Sequence, residues 1–211
     1  AQVDPREGAE PSEHTEVRLL YDDRKLYIGI RCFDSEPDKI SARQMQRDAG
    51  LRTDDRVGVM IDTFLSRRNG YFFQIGAGGG RRDGLVEVSR STNYDWDGLW
   101  EGKTSIDEEG WVAEIAIPFT TLAFDPDIDQ WGLNIERSIR RNNERIRWAS
   151  PRRNLRVTSV ANAGTTSGLR GLQQRKGVMV KPFLSIDADL YDGDNYWKSG
   201  MDLFYNITPS T

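Results

Sequence analysis

The chain has 211 residues, 37% hydrophobic and 29% charged, with 29 basic against 33 acidic side chains and a formal net charge of −4. That length holds one large domain, or one domain with an appendage. The acidic balance excludes a general nucleic-acid binder, which needs a basic surface against phosphate, and no apolar run is long enough for a transmembrane helix.

In chain order, residues 1–14 read as a polar N-terminal segment carrying His14, the only histidine, as a surface residue. No signal peptide is visible, and the abrupt opening on AQVDPREG leaves room for a targeting segment upstream. From there the dominant period is two, the signature of strands. VRLLY (17–21) and KLYIGIRCF (25–33) flank a polar turn and predict a β-hairpin, with Cys32 a small buried hydrophobe that has no disulfide partner. RVGVMIDTF (56–64) and GYFFQIG (70–76) predict a second hairpin around LSRRN. IGAGGGRRDG (75–84) lacks phosphate-loop spacing and predicts a bulge or loop where chains approach closely. WVAEIAIPF (111–119) is a strand, and residues 131–141 and 144–150 predict a third hairpin around Asn142-Asn143. Helix is limited to short turns at 118–122 and near 49–53. Regular strands separated by turn residues predict an all-β fold, an antiparallel β-sandwich or barrel, over residues 15–173.

Residues 174–211 form a linker and a C-terminal amphipathic β-hairpin. VMVKPFLSIDADLY (178–191) and MDLFYNIT (201–208) alternate around the loop DGDNYWKSG, which holds Trp197. One side is apolar and the other mostly polar, as in the wall of an outer-membrane barrel. Its unpaired edges predict dimerisation or aggregation through residues 178–208.

Catalytic signatures are weak. A Ser-His or Cys-His pair would depend on His14 alone, a histidine-rich zinc site is excluded, and CxxC pairs are absent. Asp125, Asp127, Asp129 and Glu136 fall near calcium-loop spacing, but Gln130 stands where that loop needs glycine. Asp62, Asp95 and Asp97 are the carboxylates selected for one structural calcium, the alternative being no cofactor at all. Glu114 and Glu136 are the pair to test for glycoside hydrolysis. Between Arg137 and Arg156, eight arginines meet one acid, Glu144, giving either an anion-seeking strip or a solvated pair of strands.

Strand parity sorts the six tryptophans. Trp111, Trp131 and Trp148 fall on apolar faces and are expected in the core, and Trp100 leans inward. Trp96 stands beside Tyr94 and Asp95 before the Asp97-Gly98 turn, with no apolar partner to draw it inside. An exposed ring there would stack on the C–H face of a sugar, with Tyr94, Trp96, Asp97 and Trp100 at the ligand loop. Arg140, Arg141 and Arg147 are the candidate partners of its hydroxyl or carboxylate groups.

The ordered blocks TEVRLLYDDRKLYIGIRCFDSEPDKI, DDRVGVMIDTF, RRNGYFFQIGAGGGRRDGL, WDGLWEGKTSIDEEGWVAEIAIPFTTLAF and WGLNIERSIRRNNERIRWAS resemble one family. It is the family-9-type carbohydrate-binding domain found at the N-terminus of bacterial outer-membrane proteins, ahead of a β-barrel region of unknown function. The resemblance spans about Thr15 to Leu172, and the tail GMDLFYNITPST resembles the opening of such a barrel. It implies a jelly-roll, DOMON-like sandwich in the periplasm or outer membrane of a Gram-negative-type bacterium, binding oligo- or polysaccharide, often with calcium. An I-D-G-x-L-D-E-x-x-W opening block is missing, and Gly76-Ala77-Gly78-Gly79 replaces an Asn-Pro-x-Gly loop. Haem ligation through Met and His, as in DOMON relatives, is not expected, since His14 is the only histidine and lies outside the resembling blocks. Three functions follow: a non-catalytic carbohydrate-binding module, an accessory or gating domain of a barrel with a protein partner, and a glycoside hydrolase.

Overall fold

Alternation of apolar and polar residues becomes two facing antiparallel sheets in the computed structural model. It describes residues 1–87, 92–174, 178–188 and 195–205, with side chains of the last two stretches only at 180, 182–184 and 197–201. A four-stranded sheet runs β2 (Thr15–Tyr21), β3 (Lys25–Phe33), β8 (Gly110–Pro118), β7 (Glu101–Asp107) in spatial order. Facing it, a larger sheet runs β1 (Gln2–Asp4), β10 (Glu144–Arg147), β9 (Gln130–Ile139), β4 (Arg56–Asp62), β5 (Asn69–Gly76), β6 (Arg81–Glu87). β11 (Gly164–Ser167) joins the same edge of β9 as β10, one register block away.

The core is made by the rows that parity selects. Ile28, Ile30 and Cys32 of β3, with Ala113, Ile115 and Ile117 of β8, meet Val57, Val59 and Ile61 of β4 and Phe73 and Ile75 of β5. Each such aliphatic chain contributes about 1.5–3 kcal/mol by leaving water. Trp111 and Trp131 are enclosed among them, as expected. A second, smaller cluster lies on the outer face of the larger sheet, where Val157 and Val160 cover Met60, Phe72 and Val86.

The three predicted hairpins are present, and their turns carry the expected chemistry. Asp22 Oδ1 accepts from the backbone N–H groups of Arg24 and Lys25, at 2.7 Å each. Asn143 takes a left-handed φ of 48° between β9 and β10. Turns occur at 119–121 and 52–53, within the two stretches expected, and 3-10 turns appear at Pro37–Lys39 and Val160–Asn162.

Two expectations are corrected, and the polar N-terminal segment also supplies a strand. β1 pairs with β10, Val3 is fully buried, and Ser12 donates to Glu144 through both its backbone N–H and its hydroxyl. Trp148 is not core but 55% exposed, because β10 ends at Arg147 and the chain turns away one residue later. Trp197 lies within a strand, not a loop: β12 (Val178–Ala188) and β13 (Asn195–Tyr205) pair as a separate two-stranded sheet in which Ile186 opposes Trp197. Positions 189–194 and 206–208 of the expected hairpin lie outside the described residues. Val180, Leu184, Trp197 and Met201 are exposed on it.

The glycine run forms the β5–β6 turn, packed against residues 42–44. A Cβ on Gly78 would stand 2.8 Å from the Gln44 carbonyl oxygen and 3.0 Å from the Ala42 carbonyl carbon, and both are backbone atoms. Gly78→Ala is therefore expected to lower stability by about 1–3 kcal/mol. Urea unfolding followed by tryptophan fluorescence measures it.

Candidate functional site

The sandwich is open along one edge. β2, the last strand of its sheet, stands apart from β10 and β11 of the other, and a groove of about 730 Å³ runs between them. Its floor is made of inward-facing aliphatics, Val17 and Leu19 of β2, Leu133 and Ile135 of β9 and Ile146 of β10. One wall is the 10–14 segment, and the other carries Thr165 and Thr166 of β11 and Trp148. Such a volume suits a small ligand.

The wall segment is held by charge. Glu13 binds Arg141 and takes the Ser35 hydroxyl at 2.6 Å, while Arg141 also reaches Asp34 at 2.7 Å. Arg137, only 2% exposed, closes the end of the groove, its Nη1 donating to the His14 carbonyl at 2.9 Å and Thr15 Oγ1 at 3.0 Å. His14 itself points outward, 5.6 Å from the Phe33 ring.

Trp148 is presented by an arginine behind it. Arg147 Nε and Nη2 donate to Glu136 Oε2 at 3.0 and 2.6 Å, and Nη1 reaches the carbonyls of Ser150 and Arg152. Those bonds fold residues 150–152 back over the buried guanidinium, helped by a left-handed φ of 49° at Ser150. The Trp148 N–H still bonds the Ile135 carbonyl at 3.0 Å, so its ring turns to the groove side. Beneath it lies Gly164, where a Cβ would stand 2.6 Å from Cη2 of the indole. The ring is thus supported on one side and exposed at the groove mouth, the geometry of a stacking platform.

The residues selected from sequence are placed differently. Trp100 is 2% exposed, so it cannot stack on a ligand; its Nε1 donates to Asp83 at 2.9 Å. Trp96 is half-buried, its ring centroid 5.3 Å from that of Tyr71 and 6.1 Å from Phe73, which supply the apolar partners its neighbours in sequence lack. Tyr94 is exposed, with the Arg82 guanidinium 3.5 Å from its ring centroid. Asp97 pairs with Arg47. This loop lies beside β6, at the opposite edge of the larger sheet from Trp148. Arg140 sits half-buried in the β9–β10 turn, Arg141 in the Glu13–Asp34 network, and Arg147 under its own loop.

Nor do the selected carboxylates converge. Asp62 accepts from the backbone N–H groups of Phe64, Ser66 and Arg67, organising the β4–β5 turn. Among the described residues, no group of three or more His, Cys, Asp or Glu is placed to hold a metal ion, so Asp62, Asp95 and Asp97 are not a ligand set. Glu114 is exposed on the outer face of the four-stranded sheet, while Glu136 lies on the outer face of the other sheet, bound to Arg147. The two point to opposite sides of the sandwich and cannot flank one glycosidic bond. Burial pushes the Cys32 thiol up to about 12, so it stays protonated.

Asp83, Arg47 and Gly164 escaped the sequence reading, and Arg137 entered it only as the start of the arginine run. Only Trp148 left a signal, the Ala-Ser-Pro that follows it and stops the strand. Asp83 is the hub of the 93–100 loop, accepting from Gly98 N–H at 2.6 Å, Trp100 Nε1 and Arg47 Nη2 at 3.0 Å. Burial raises its carboxyl above the ordinary range, against those donors. Asp83→Ala leaves the donors and the Arg47 charge without this acceptor, and is expected to cost about 3 kcal/mol. The loss is read by denaturant unfolding, with a weakened near-ultraviolet dichroism of the tryptophans.

No protein-family profile and no curated protein matches the chain. Solved structures do. A family 9 carbohydrate-binding module from Caldicellulosiruptor kristjanssonii in complex with glucose superposes with a TM-score of 0.56 at 14% identity, over 80% of this chain and 81% of that one. A cellotriose complex of a family 9 module from the same organism gives 0.55 at 15%, over 83% of each. A candidate carbohydrate-binding protein from Bacteroides uniformis gives 0.61 at 13%, over 74% of this chain and 78% of that one. At such identities the likeness establishes the fold: the chain is an all-β antiparallel sandwich of the kind those modules adopt.

Proposed function

We propose that the sandwich is a non-catalytic carbohydrate-binding module acting outside the cytoplasm, whose sugar stacks on Trp148 at the mouth of the groove. The observation that carries this reading is the exposed indole, backed by Gly164 and set beside the groove. The fold shared with modules solved in complex with glucose and cellotriose supports it. A pyranose lays its C–H face on the ring, while Thr165 and Thr166 offer hydroxyls at the same wall. Glu13, the carboxylate fixed in the opposite wall, is tied to Ser35 and Arg141, which suits holding better than proton transfer. No calcium is assigned to the groove.

A second reading concerns the tail. The β12–β13 sheet exposes Val180, Leu184, Trp197 and Met201, the kind of surface an outer-membrane barrel turns to lipid. The sandwich would then sit at the mouth of that barrel.

Isothermal titration with cello-oligosaccharides tests the main reading. Trp148→Ala is expected to weaken binding at least about ten-fold, equivalent to about 1.4 kcal/mol. Trp96→Ala, on a ring already packed against Tyr71 and Phe73, is expected to leave affinity within about two-fold if the protein stays folded. Absence of binding to any oligosaccharide at millimolar concentration would overturn the assignment.

A further inference from the structure

The outer face of the larger sheet carries an arginine layer that the groove does not use. β4, β9 and β10 set Arg56, Ser138 and Arg145 in one cross-strand row, since Ser138 opposes both arginines. Two strand spacings put the stems of the two arginines roughly 10 Å apart. In the next row Gly58 of β4 stands between Gln74 and Glu136, so β4 contributes no side chain there. Arg140 follows in the β9–β10 turn, half-buried, and Arg52 is exposed in the loop before β4.

What distinguishes this layer is how its charges are held. Arg56 Nη1 donates to the carbonyls of Leu51, Arg52 and Asp54, at 3.0, 3.4 and 3.3 Å. Carbonyl oxygens orient a guanidinium without cancelling its charge. Burial lowers the Arg56 pKa; Glu136 acts in the opposite sense, and the positive charges of Arg140, Arg145 and Arg52 add to the lowering. The carboxylates nearby are already shared. Asp4 serves Arg145 and Arg153, and Glu136 is gripped by Arg147 at 2.6 Å, 3.9 Å from Arg145. Among the described residues, five arginines, at 52, 56, 140, 145 and 153, thus have two acidic ion-pair partners, Asp4 and Glu136, the second already held by Arg147, in a chain whose net charge is −4.

We propose that this face binds acidic glycans, with the guanidinium groups of Arg56, Arg140 and Arg145 receiving carboxylate or sulfate groups, as a second surface beyond the Trp148 groove. The proposal rests on the carbohydrate reading for the class of polymer, and on the arginine row for its charge. Guanidinium forks match planar carboxylate and tetrahedral sulfate geometry. A nucleic acid fits less well, because its charges are dense along the chain and the protein beyond this patch is acidic.

The test is titration of the whole chain with trigalacturonate, cellotriose and an oligodeoxynucleotide of matched charge. Trigalacturonate is expected to bind at least about ten-fold tighter than cellotriose, the difference vanishing near about 1 M salt, where the screening length is about 3 Å. Arg56→Gln, and the more exposed pair Arg52→Gln with Arg140→Gln, are expected to remove that preference and leave cellotriose affinity unchanged. The pair, which lies outside the strands, keeps the test readable if Arg56→Gln destabilises β4. Equal affinities for the two sugars, or arginine variants without effect, overturn this proposal and leave the groove reading intact. Arginine-dependent binding of trigalacturonate without any cellotriose binding supports it and overturns the groove reading. Binding of neither sugar overturns both. An oligodeoxynucleotide binding as tightly as trigalacturonate shows bare charge attraction and overturns the glycan assignment.

Discussion

One buried charge ties the two sheets together. Arg137 leaves the centre of the larger sheet, crosses the interior, and bonds the backbone of the other sheet at the Phe33 carbonyl, at 2.7 Å, and at His14. An isolated guanidinium there would be far too costly, so it is compensated by three oxygen acceptors and by Asp34, 3.6 Å away. The rest follows from that need. Asp34 turns its other oxygen to Arg141, Arg141 takes Glu13, and Glu13 takes Ser35. This chain of bonds pulls the 10–14 segment across the end of the sandwich and holds it there. The groove is the space left where β2 does not meet β10 and β11, closed on one side by the segment, which Ser12 ties to Glu144 of β10.

Much of the sandwich was legible because its strands are half-buried and strictly alternating. Ile28, Ile30 and Cys32, or Val57, Val59 and Ile61, need no tertiary information to be assigned to one face. The reading failed where position along a strand stopped determining burial. Trp148 shares the parity of Ile146 and turns to the same groove side, yet stays exposed because the sandwich is open there and β10 ends at Arg147. β1 has only three residues, and β11 reads GTTS, so neither carries a pattern to recognise. β6 was hidden because its Arg81, Arg82 and Asp83 look like loop, and Asp83 faces inward to bond Trp100.

The acidic residues show a related ambiguity. Sequence cannot separate a carboxylate that would take a cation from one that takes N–H groups, since both need converging lone pairs in a turn. Asp54 accepts from Arg43 and Gln44, Asp55 from Ser41 and Arg140, and Asp62 from the β4–β5 turn. Each is buried, and each replaces by its side chain the ladder bonds that an irregular segment lacks. That role explains why so many aspartates stand at strand ends, and it needs no ion.

The same division separates fold from specificity. The inner rows tolerate any well-packed apolar set, so a sandwich can persist at 13–15% identity to modules of the same architecture. The edges do not have that freedom. Trp148 keeps its seat only while Gly164 lies beneath it and Arg147 holds the following turn, and those residues come from two separate stretches, the end of β10 and the start of β11. A substitution that keeps the core but adds one carbon at Gly164 would tilt the indole off its seat and leave the fold in place. On the proposed carbohydrate reading, ligand choice would be set at the ends of β10 and β11, a few residues whose constraint is local and whose change the core does not register.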